Sequence, residues 1–455
     1  MFKSYFQKDF NFFNIRIFFL LTLFLMSVIL IDTSFIKLYD IITRNVLSTK
    51  IKEVIFAALI SFSILLQLFF LKYANRELMV HPLGQKIRFK LFDYFTKSSY
   101  LIVIILVLFI FIQLFYYGYY STVILRLLVF INYIVASVLV GNLSILFLKW
   151  FRIRHSIVVL MYFISTALIV FNLMAANIAV NFGLSDRPET VREYAGGTMD
   201  ITGGKYLTLN NLFKISAILS FISIWLTTVL MTHFYRDRLV KREFRYWILP
   251  ILLLFYFFVS YFSQDIIGAI LSVFLRDNPY LLSGVLIMVF ALVKPIGGIM
   301  FGLVFWNLSR AVSYEKSLRN YMVMAGFGLL LLFSANQSSS LVLAPYPPFG
   351  LATISILISS AYLTMIGVYA SAIQISSNTQ LRISIQKAAR ESGLLGTLGS
   401  AERQDRINKT IGTIVKKAES SETPIANMEI DRLELRNYLS KVIQELHKNK
   451  DSVTS

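Results

Sequence analysis

The sequence predicts an all-α protein, a polytopic transmembrane helix bundle of about ten spans followed by a small cytosolic helical tail. Three observations predict this class. Only 15% of the 455 residues are charged and 56% are hydrophobic, whereas a soluble domain carries about 25% charged residues. Ten stretches approach the roughly 20 apolar residues that a membrane-crossing helix needs. The last 80 or so residues change abruptly to charged sequence with helical periodicity.

The ten predicted spans are mainly apolar and are separated by polar or basic loops. They are approximately Ile15–Ile31, Val54–Leu71, Leu101–Tyr117, Leu127–Leu148, Ile157–Val180, Leu212–His233, Trp247–Phe262, Leu281–Trp306, Met322–Phe333 with its flanks, and Leu351–Ala370. The ninth is the shortest, so nine spans is the main alternative count. The first resembles a signal peptide but lacks a small-x-small cleavage site, which favours an uncleaved span.

The distribution of basic residues predicts the orientation. With a cytoplasmic N-terminus, the inner segments before the tail hold 20 Lys and Arg and the outer loops hold 10, as the positive-inside rule requires. Both termini are then cytoplasmic in a multi-pass protein of the cell membrane. The basic residues behind the formal net charge of +19 lie mostly on the predicted inner face, where anionic lipid headgroups attract them. Binding to nucleic acid is not needed to explain this charge.

Three connecting segments suggest local structure. Residues 85–97 alternate basic and aromatic side chains, which suits a short helix lying in the inner membrane interface or an ordinary basic loop. In the outer loop Asn181–Asn211, glycine pairs around Thr198–Thr202 suggest a hairpin. The second outer segment, Ser334–Gly350, is uncharged and ends in the rigid run Ala344–Gly350. Each outer segment is a structured connector or a contact surface for an extracellular ligand.

The sequence divides into a transmembrane domain, 1–373, and a cytosolic helical tail, 374–455. Three amphipathic stripes run along the tail, and such faces must be buried on something. We expect them to cover one another, the inner membrane surface, a second copy of the chain or a protein partner. The stripes are Leu381, Ile385, Ala388, Ala389, Leu395 and Leu398, then Ile407, Ile411, Ile414, Val415 and Ala418, and finally Leu435, Leu439, Val442 and Leu446.

Lys294 is the first candidate functional residue because it falls near the middle of the eighth span. A charge there is costly unless it faces protein or water. Pro295 removes a backbone donor and tends to break the helix, while Gly297, Gly298 and Gly302 permit close packing. The alternative is that the helix ends near Pro295 and places Lys294 at an interface. Asp265 is the nearest carboxylate flanked by apolar residues, so a Lys294–Asp265 pair is one hypothesis.

The sixth span carries a continuous polar face formed by Ser216, Ser220, Ser223 and Thr227. Amides recur in other spans: Gln67, Gln113, Asn132, Asn142, Asn172 and Asn177. Polar groups in lipid need internal partners. Hydrogen bonds between helices explain this pattern, and a hydrated ligand or ion pathway is the alternative.

Known catalytic and metal-binding motifs are missing from the sequence. It contains no cysteine, no G-x-x-x-x-G-K-[ST], no H-E-x-x-H and no G-x-S-x-G. The four histidines match no ligand spacing. We therefore assign no catalytic residue, no metal and no cofactor, and the sequence favours a role other than catalysis. A lipid-modifying membrane enzyme is the third functional alternative.

Short motifs in the last 120 residues carry a resemblance. Ala344–Gly350, Leu381-Arg-Ile-Ser-Ile-Gln-Lys387 and Leu394-Leu-Gly-Thr-Leu-Gly-Ser-Ala401 are similar to uncharacterised multi-spanning membrane proteins of ammonia-oxidising archaea. The resemblance implies an archaeal cell membrane and implies no reaction, ligand or functional residue.

Two functions remain in competition. The long tail favours a membrane receptor or signalling scaffold that recruits a protein partner, or self-associates, through its cytosolic helices. Lys294, the broken eighth span and the polar sixth span instead suggest a secondary transporter or channel, although no inverted repeat is evident.

Overall fold

The computed structural model describes residues 15–37, 48–80, 87–192, 204–234, 243–262, 295–309, 315–336, 346–378, 381 and 394–420. Its helices are α1 (Ile15–Lys37), α2 (Thr49–Val80), α3 (Ile87–Ile112, continued by the π-helical turn Gln113–Tyr117), α4 (Thr122–Arg154), α5 (Ile157–Ser185), α6 (Gly204–Phe234), α7 (Glu243–Phe262), α8 (Pro295–Ser309), α9 (Lys316–Ala335), α10 (Leu351–Ser377) and α11 (Leu394–Ser420). Two short strands, β1 (Tyr119–Ser121) and β2 (Thr190–Arg192), pair antiparallel.

The predicted fold class is confirmed. In the described part of the chain, eight helices are long and apolar enough to cross a membrane: α1 to α6, α9 and α10. The seventh and eighth predicted spans contain shorter described apolar helices, Pro250–Val259 and Pro295–Ser309. The ninth, which the sequence made the least secure, is a helix of 20 residues. Residues 263–294, which follow the seventh predicted span and include the first part of the eighth, lie outside the described ranges.

Helix α10 lies at the centre of the bundle. Every residue from Leu351 to Ser376 is buried, and the helix packs against α2, α4, α9 and the tail helix α11. Helix α9 approaches closely at Gly367, where a Cβ atom would lie 2.6 Å from the backbone nitrogen of Ala325. Small residues at such a crossing let two backbones approach. We call the end of the bundle where α10 begins the loop end, and the end where it finishes the tail end.

Three connecting segments differ from the expectations. Residues 87–97 are the first turns of the continuous helix α3, so they form neither a separate interfacial helix nor a loop. The predicted hairpin around Thr198 lies outside the described residues. Strand β2, at the start of the same outer loop, pairs with β1 from the α3–α4 connection. At the end of the other outer segment, Tyr346 to Gly350 are buried, so this part faces the protein and does not present a surface to an external ligand.

In the described part of the tail, helix α11 covers a surface that the sequence analysis did not propose, the transmembrane bundle of its own chain. Helix α11 joins the end of the first predicted stripe to the second, and it packs on α4, α5 and α10 of its own transmembrane bundle. Leu394, Leu395, Leu398 and Ala401 are almost fully buried. The third predicted stripe, Leu435 to Leu446, lies outside the described residues. The sequence predicted an apolar face but not its partner, because a stripe of apolar residues specifies burial without specifying the complementary surface.

Candidate functional site

Lys294 and Asp265 lie outside the described residues, so the Lys294–Asp265 pair stays a prediction. Helix α8 is described from Pro295, which is itself buried. Its glycines face α9 closely. A Cβ at Gly298 would lie 2.8 Å from the carbonyl oxygen of Leu330. These contacts fix α8 against α9 at the level of the predicted helix break.

Gly302 and Gly297 complete the close packing of α8. A Cβ at Gly302 would lie 2.9 Å from the carbonyl oxygen of Gly326 on α9, and one at Gly297 would lie 2.8 Å from the ring of Phe221 on α6. Real Cβ contacts are essentially never this short, so only glycine fits here without a shift. Helix α8 is therefore held between α6 and α9.

The polar face of α6 is turned towards α5. The Ser165 hydroxyl of α5 lies 2.8 Å from both the Ser223 and Thr227 hydroxyls of α6. The Thr227 hydroxyl also donates to the carbonyl oxygen of Ser223 at 2.8 Å. Three hydroxyl groups from two spans thus meet in one cluster, and such interhelical bonds contribute about 0.6–2 kcal/mol each in a membrane.

Two turns closer to the loop end, amides extend the same interface. The Asn172 amide donates to the Ser216 hydroxyl at 2.8 Å, and the Asn336 amide donates to the Asn172 side-chain oxygen at 2.5 Å. Ser220, which lies between Ser216 and Ser223 on α6, donates to the carbonyl oxygen of Ala217. The polar face therefore links α5, α6 and the end of α9 by hydrogen bonds.

Two small cavities lie along this interface. The first, about 30 Å³, is lined by residues of α4, α5, α6, α8, α9 and α10, including Ser165, Thr227 and Thr364. The second, about 10 Å³, is lined in part by Asn172 and Ser220. They share four apolar lining residues: Ile169, Ile224, Phe301 and Leu329. Since one water needs roughly 10–15 Å³ and polar partners, each cavity is of water size and neither matches an organic substrate.

A second polar constellation lies at the loop end, where Asp32 caps α10. Its carboxylate is completely buried and accepts the backbone N–H groups of Gly350 and Thr353 and the Thr353 hydroxyl, each at 2.8 Å. Gly350 has φ +98°, a conformation that favours glycine. The unpaired N–H groups and the dipole at a helix start favour an anion. A carboxylate from α1 therefore fixes the start of α10.

The segment before α10 is held beside this cap. The Tyr346 hydroxyl donates to the Glu53 carboxylate of α2 at 2.6 Å. The Phe349 ring stacks on Phe35 with centroids 4.9 Å apart and meets Phe56 edge-on at 5.8 Å. The segment thus closes the loop end of the bundle with polar and aromatic contacts to α1 and α2.

Further along α10, its hydroxyl groups meet an amide of α2. The Gln67 amide donates to Ser63 at 2.9 Å and to Ser355 at 3.0 Å. Its oxygen accepts the Tyr100 hydroxyl of α3 at 2.5 Å. All four side chains are buried. A row of buried hydrogen bonds, which we call the polar seam, therefore joins α2, α3 and α10 in the apolar interior.

The seam ends towards the tail end with a tyrosine and two further polar groups. The Tyr362 hydroxyl of α10 donates to the Asn75 oxygen at 2.7 Å, and the Asn75 amide donates to the Asp93 carboxylate at 2.6 Å. Lys97 pairs with Asp93 at 2.8 Å. Every polar group named here has a protein partner, so this seam orients helices and is not an open pathway.

At the tail end, α11 is fixed to the last turns of α4 by two acidic residues. Glu402 accepts the indole N–H of the buried Trp150 at 3.1 Å, and Asp405 pairs with Lys149 at 2.6 Å and with Lys409 at 2.7 Å. Burial by itself would raise the pKa of the Asp405 carboxyl, but the hydrogen bonds and charges of the two lysines outweigh it and lower that pKa. The carboxylate therefore stays charged and holds α11 on the bundle.

Helix α11 also contacts α10 directly. At Gly399 the backbone lies so close to the Ile375 side chain that a Cβ atom would overlap it. By contrast, a Cβ at Gly412 on the same helix would meet no atom within 4 Å. Only glycine therefore fits where α11 crosses the end of α10.

Sequence reasoning missed Asp32, Glu53, Tyr346, Glu402 and Asp405. For Asp32 and Glu53 the available signal was a carboxylate near the end of an apolar span, which usually finds a buried partner. Their partners are remote in sequence, as in the 318 residues that separate Asp32 from Gly350, and no local pattern specifies them.

These features define the class of protein, an integral α-helical membrane protein with a tail helix docked on its transmembrane bundle. Comparison with known proteins finds no matching family model, no similar curated protein and no similar solved structure.

Proposed function

We propose that the protein is a membrane receptor or signalling scaffold in which α10 connects the loop end to the cytosolic tail. The observation that carries the proposal is that both ends of this fully buried helix are tied to other elements. Asp32 of α1 caps its start, and α11 crosses its end at Gly399. A displacement of the segment before α10 would shift this helix and, with it, the tail helix docked on its end. A rigid helix in a packed core moves as a unit between discrete positions.

The test measures whether the two ends are coupled. Because the chain has no cysteine, a single Cys at the exposed Thr410 on α11 takes a spin label whose mobility reports docking. Gly399→Val should release α11, while Gly412→Val, on the open side of the same helix, should leave it docked. Asp32→Ala should raise the mobility of the label from the opposite end of the bundle.

The outcomes separate coupling from general loosening. Thr33→Ala removes a buried hydroxyl beside Asp32 that bonds only within its own helix, and it should not change the label. If Asp32→Ala leaves the folded bundle intact and the label unchanged, α10 does not connect the two ends and the proposal is wrong.

A secondary transporter or channel is the second candidate, and the two cavities favour it. They line up along the hydroxyl and amide groups of α5 and α6, where water could pass between spans. In proteoliposomes loaded with a pH-sensitive dye, Thr227→Val should lower the proton flux, and Ser27→Ala, an exposed hydroxyl on α1, should not. Absence of proton, Na⁺ and K⁺ flux from the wild type would exclude this candidate.

We also propose an archaeal cell membrane as the location, with both termini cytoplasmic and the tail facing anionic headgroups. The two-to-one excess of basic residues on the tail side supports the orientation. Single cysteines at Thr410 and at Lys214, at opposite ends of the bundle, should be labelled by an impermeant thiol reagent from opposite sides of sealed vesicles.

A further inference from the structure

The last turns of α4 and helix α11 meet at the tail end through Lys149–Asp405 and Trp150–Glu402, and we call the charged residues of these two segments the α4–α11 basic surface. It contains six cations and two carboxylates, a formal net charge of +4: Lys149, Arg152, Arg154, Arg403, Arg406, Lys409, Glu402 and Asp405. Neither helix alone forms this surface, because the tail helix contributes half of its cations.

The carboxylates of this surface are already engaged within it. Asp405 lies between Lys149 and Lys409, and Glu402 accepts the indole of Trp150. Arg152 and Arg154 remain exposed. The acidic groups therefore hold the two helices together without neutralising the cations that face outward.

The exposed arginines lie at the end of a helix that is long enough to span a membrane. Arg152 and Arg154 lie in the last turn of a helix of span length, where basic residues meet the membrane surface. Three residues after Arg154, the exposed apolar side chain of Ile157 begins the next span. Arg152 lies one helical turn after Lys149 on α4, and Lys409 lies one turn after Asp405 on α11, so both cations are neighbours of the residues of the Lys149–Asp405 contact.

We propose that the α4–α11 basic surface binds the phosphate of an anionic lipid headgroup, which holds α11 against the bundle. Guanidinium groups suit phosphate because their paired N–H donors match two of its oxygens. A bound phosphate also offsets the repulsion between cations that docking brings together. The proposal goes beyond partner recruitment and does not require it, since it concerns the membrane lipid alone.

The test uses the full-length protein with a bimane label on Thr410→Cys, reconstituted into phosphatidylcholine nanodiscs. Phosphatidylglycerol or phosphatidylcholine carrying a nitroxide near the headgroup is added as the quencher. We expect phosphatidylglycerol to quench at a lower mole fraction. Arg152→Gln and Arg154→Gln should each raise the half-quenching mole fraction about fivefold, given about 1 kcal/mol per cation at such a surface.

Lys214→Gln is the matched control, because Lys214 is an exposed cation on α6 at the opposite end of the bundle. It should leave the quenching curve unchanged. Equal quenching by the two lipids, or an equal shift from Lys214→Gln, would overturn the proposal. Displacement of phosphatidylglycerol by an equal concentration of soluble glycerol phosphate would also overturn it, because the surface would then take a free anion.

Discussion

Replacing Asp32 tests the most deeply buried charge among the described residues. Asp32→Ala leaves the N–H groups of Gly350 and Thr353, and the Thr353 hydroxyl, without their acceptor. Two buried N–H groups without partners cost about 1–3 kcal/mol each. Removing the buried carboxylate offsets part of that cost, because the free energy of desolvating its charge on folding no longer has to be supplied. We expect a net loss of about 3 kcal/mol in the free energy of unfolding.

The side chain of Asn has the shape of Asp but carries an amide NH2 group in place of one acceptor oxygen. Asp32→Asn should therefore keep only the bonds to its remaining oxygen, either from Gly350 or from Thr353, and cost about 2 kcal/mol, since a charge-assisted bond is worth more than a neutral one. A double-mutant cycle with Thr353→Val isolates the pairwise contribution, which should exceed about 1 kcal/mol.

Unfolding can be followed by the fluorescence of the four tryptophans as SDS is added to the protein in detergent micelles. Thr33→Ala is the control at the same depth. Its hydroxyl donates to the Ile29 carbonyl within α1 at 2.7 Å, so its loss should cost about 1 kcal/mol or less. If Asp32→Ala and Thr33→Ala destabilise equally, or the cycle shows no coupling, Asp32 does not stabilise α10 by capping it.

Two further predictions concern the tail and the glycines. Because the folded pKa of Asp405 is lowered, its contact with Lys149 stabilises docking above the unfolded value of about 3.9. Spin-label mobility on α11 should stay constant from neutral pH to about pH 5 and rise below about pH 4, and Asp405→Asn should remove that rise. Gly298→Ala should destabilise the bundle in SDS titrations, because its Cβ would lie 2.8 Å from the Leu330 carbonyl oxygen. Gly141→Ala, whose Cβ would lie 4.0 Å from Val170, should be neutral or gain about 0.5–1 kcal/mol of helix propensity, and equal losses from both would contradict the packing argument.

The sequence was sufficient to predict the polytopic helical class, because lipid imposes a local rule: about 20 apolar residues in a row, with every backbone group bonded within the helix. It also predicted the polar face of α6, since residues three and four apart share one side of a helix. It also predicted the ninth span, Met322–Phe333 with its flanks, although it made this span the least secure. The flanking residues Lys316–Tyr321 and Ser334–Ala335 lengthen that helix to 20 residues, and the polar side chains of Ser317, Asn320 and Ser334 among them are buried by protein where a hydropathy argument expects water.

Pairing between distant segments was decided only by the tertiary structure. The apolar stripe of α11 predicted that this face of the helix would be buried. The tertiary structure packs it against its own bundle, with contacts at Gly399, Glu402 and Asp405. Asp32 could be recognised as a carboxylate at the end of a span, but its partner, the start of α10, is more than 300 residues away. Hydropathy and helical periodicity are properties of neighbouring residues, so the sequence by itself determined which segments enter the membrane. Partner choice depends on shape and on hydrogen-bond geometry between remote segments, and those exist only once the helices have packed.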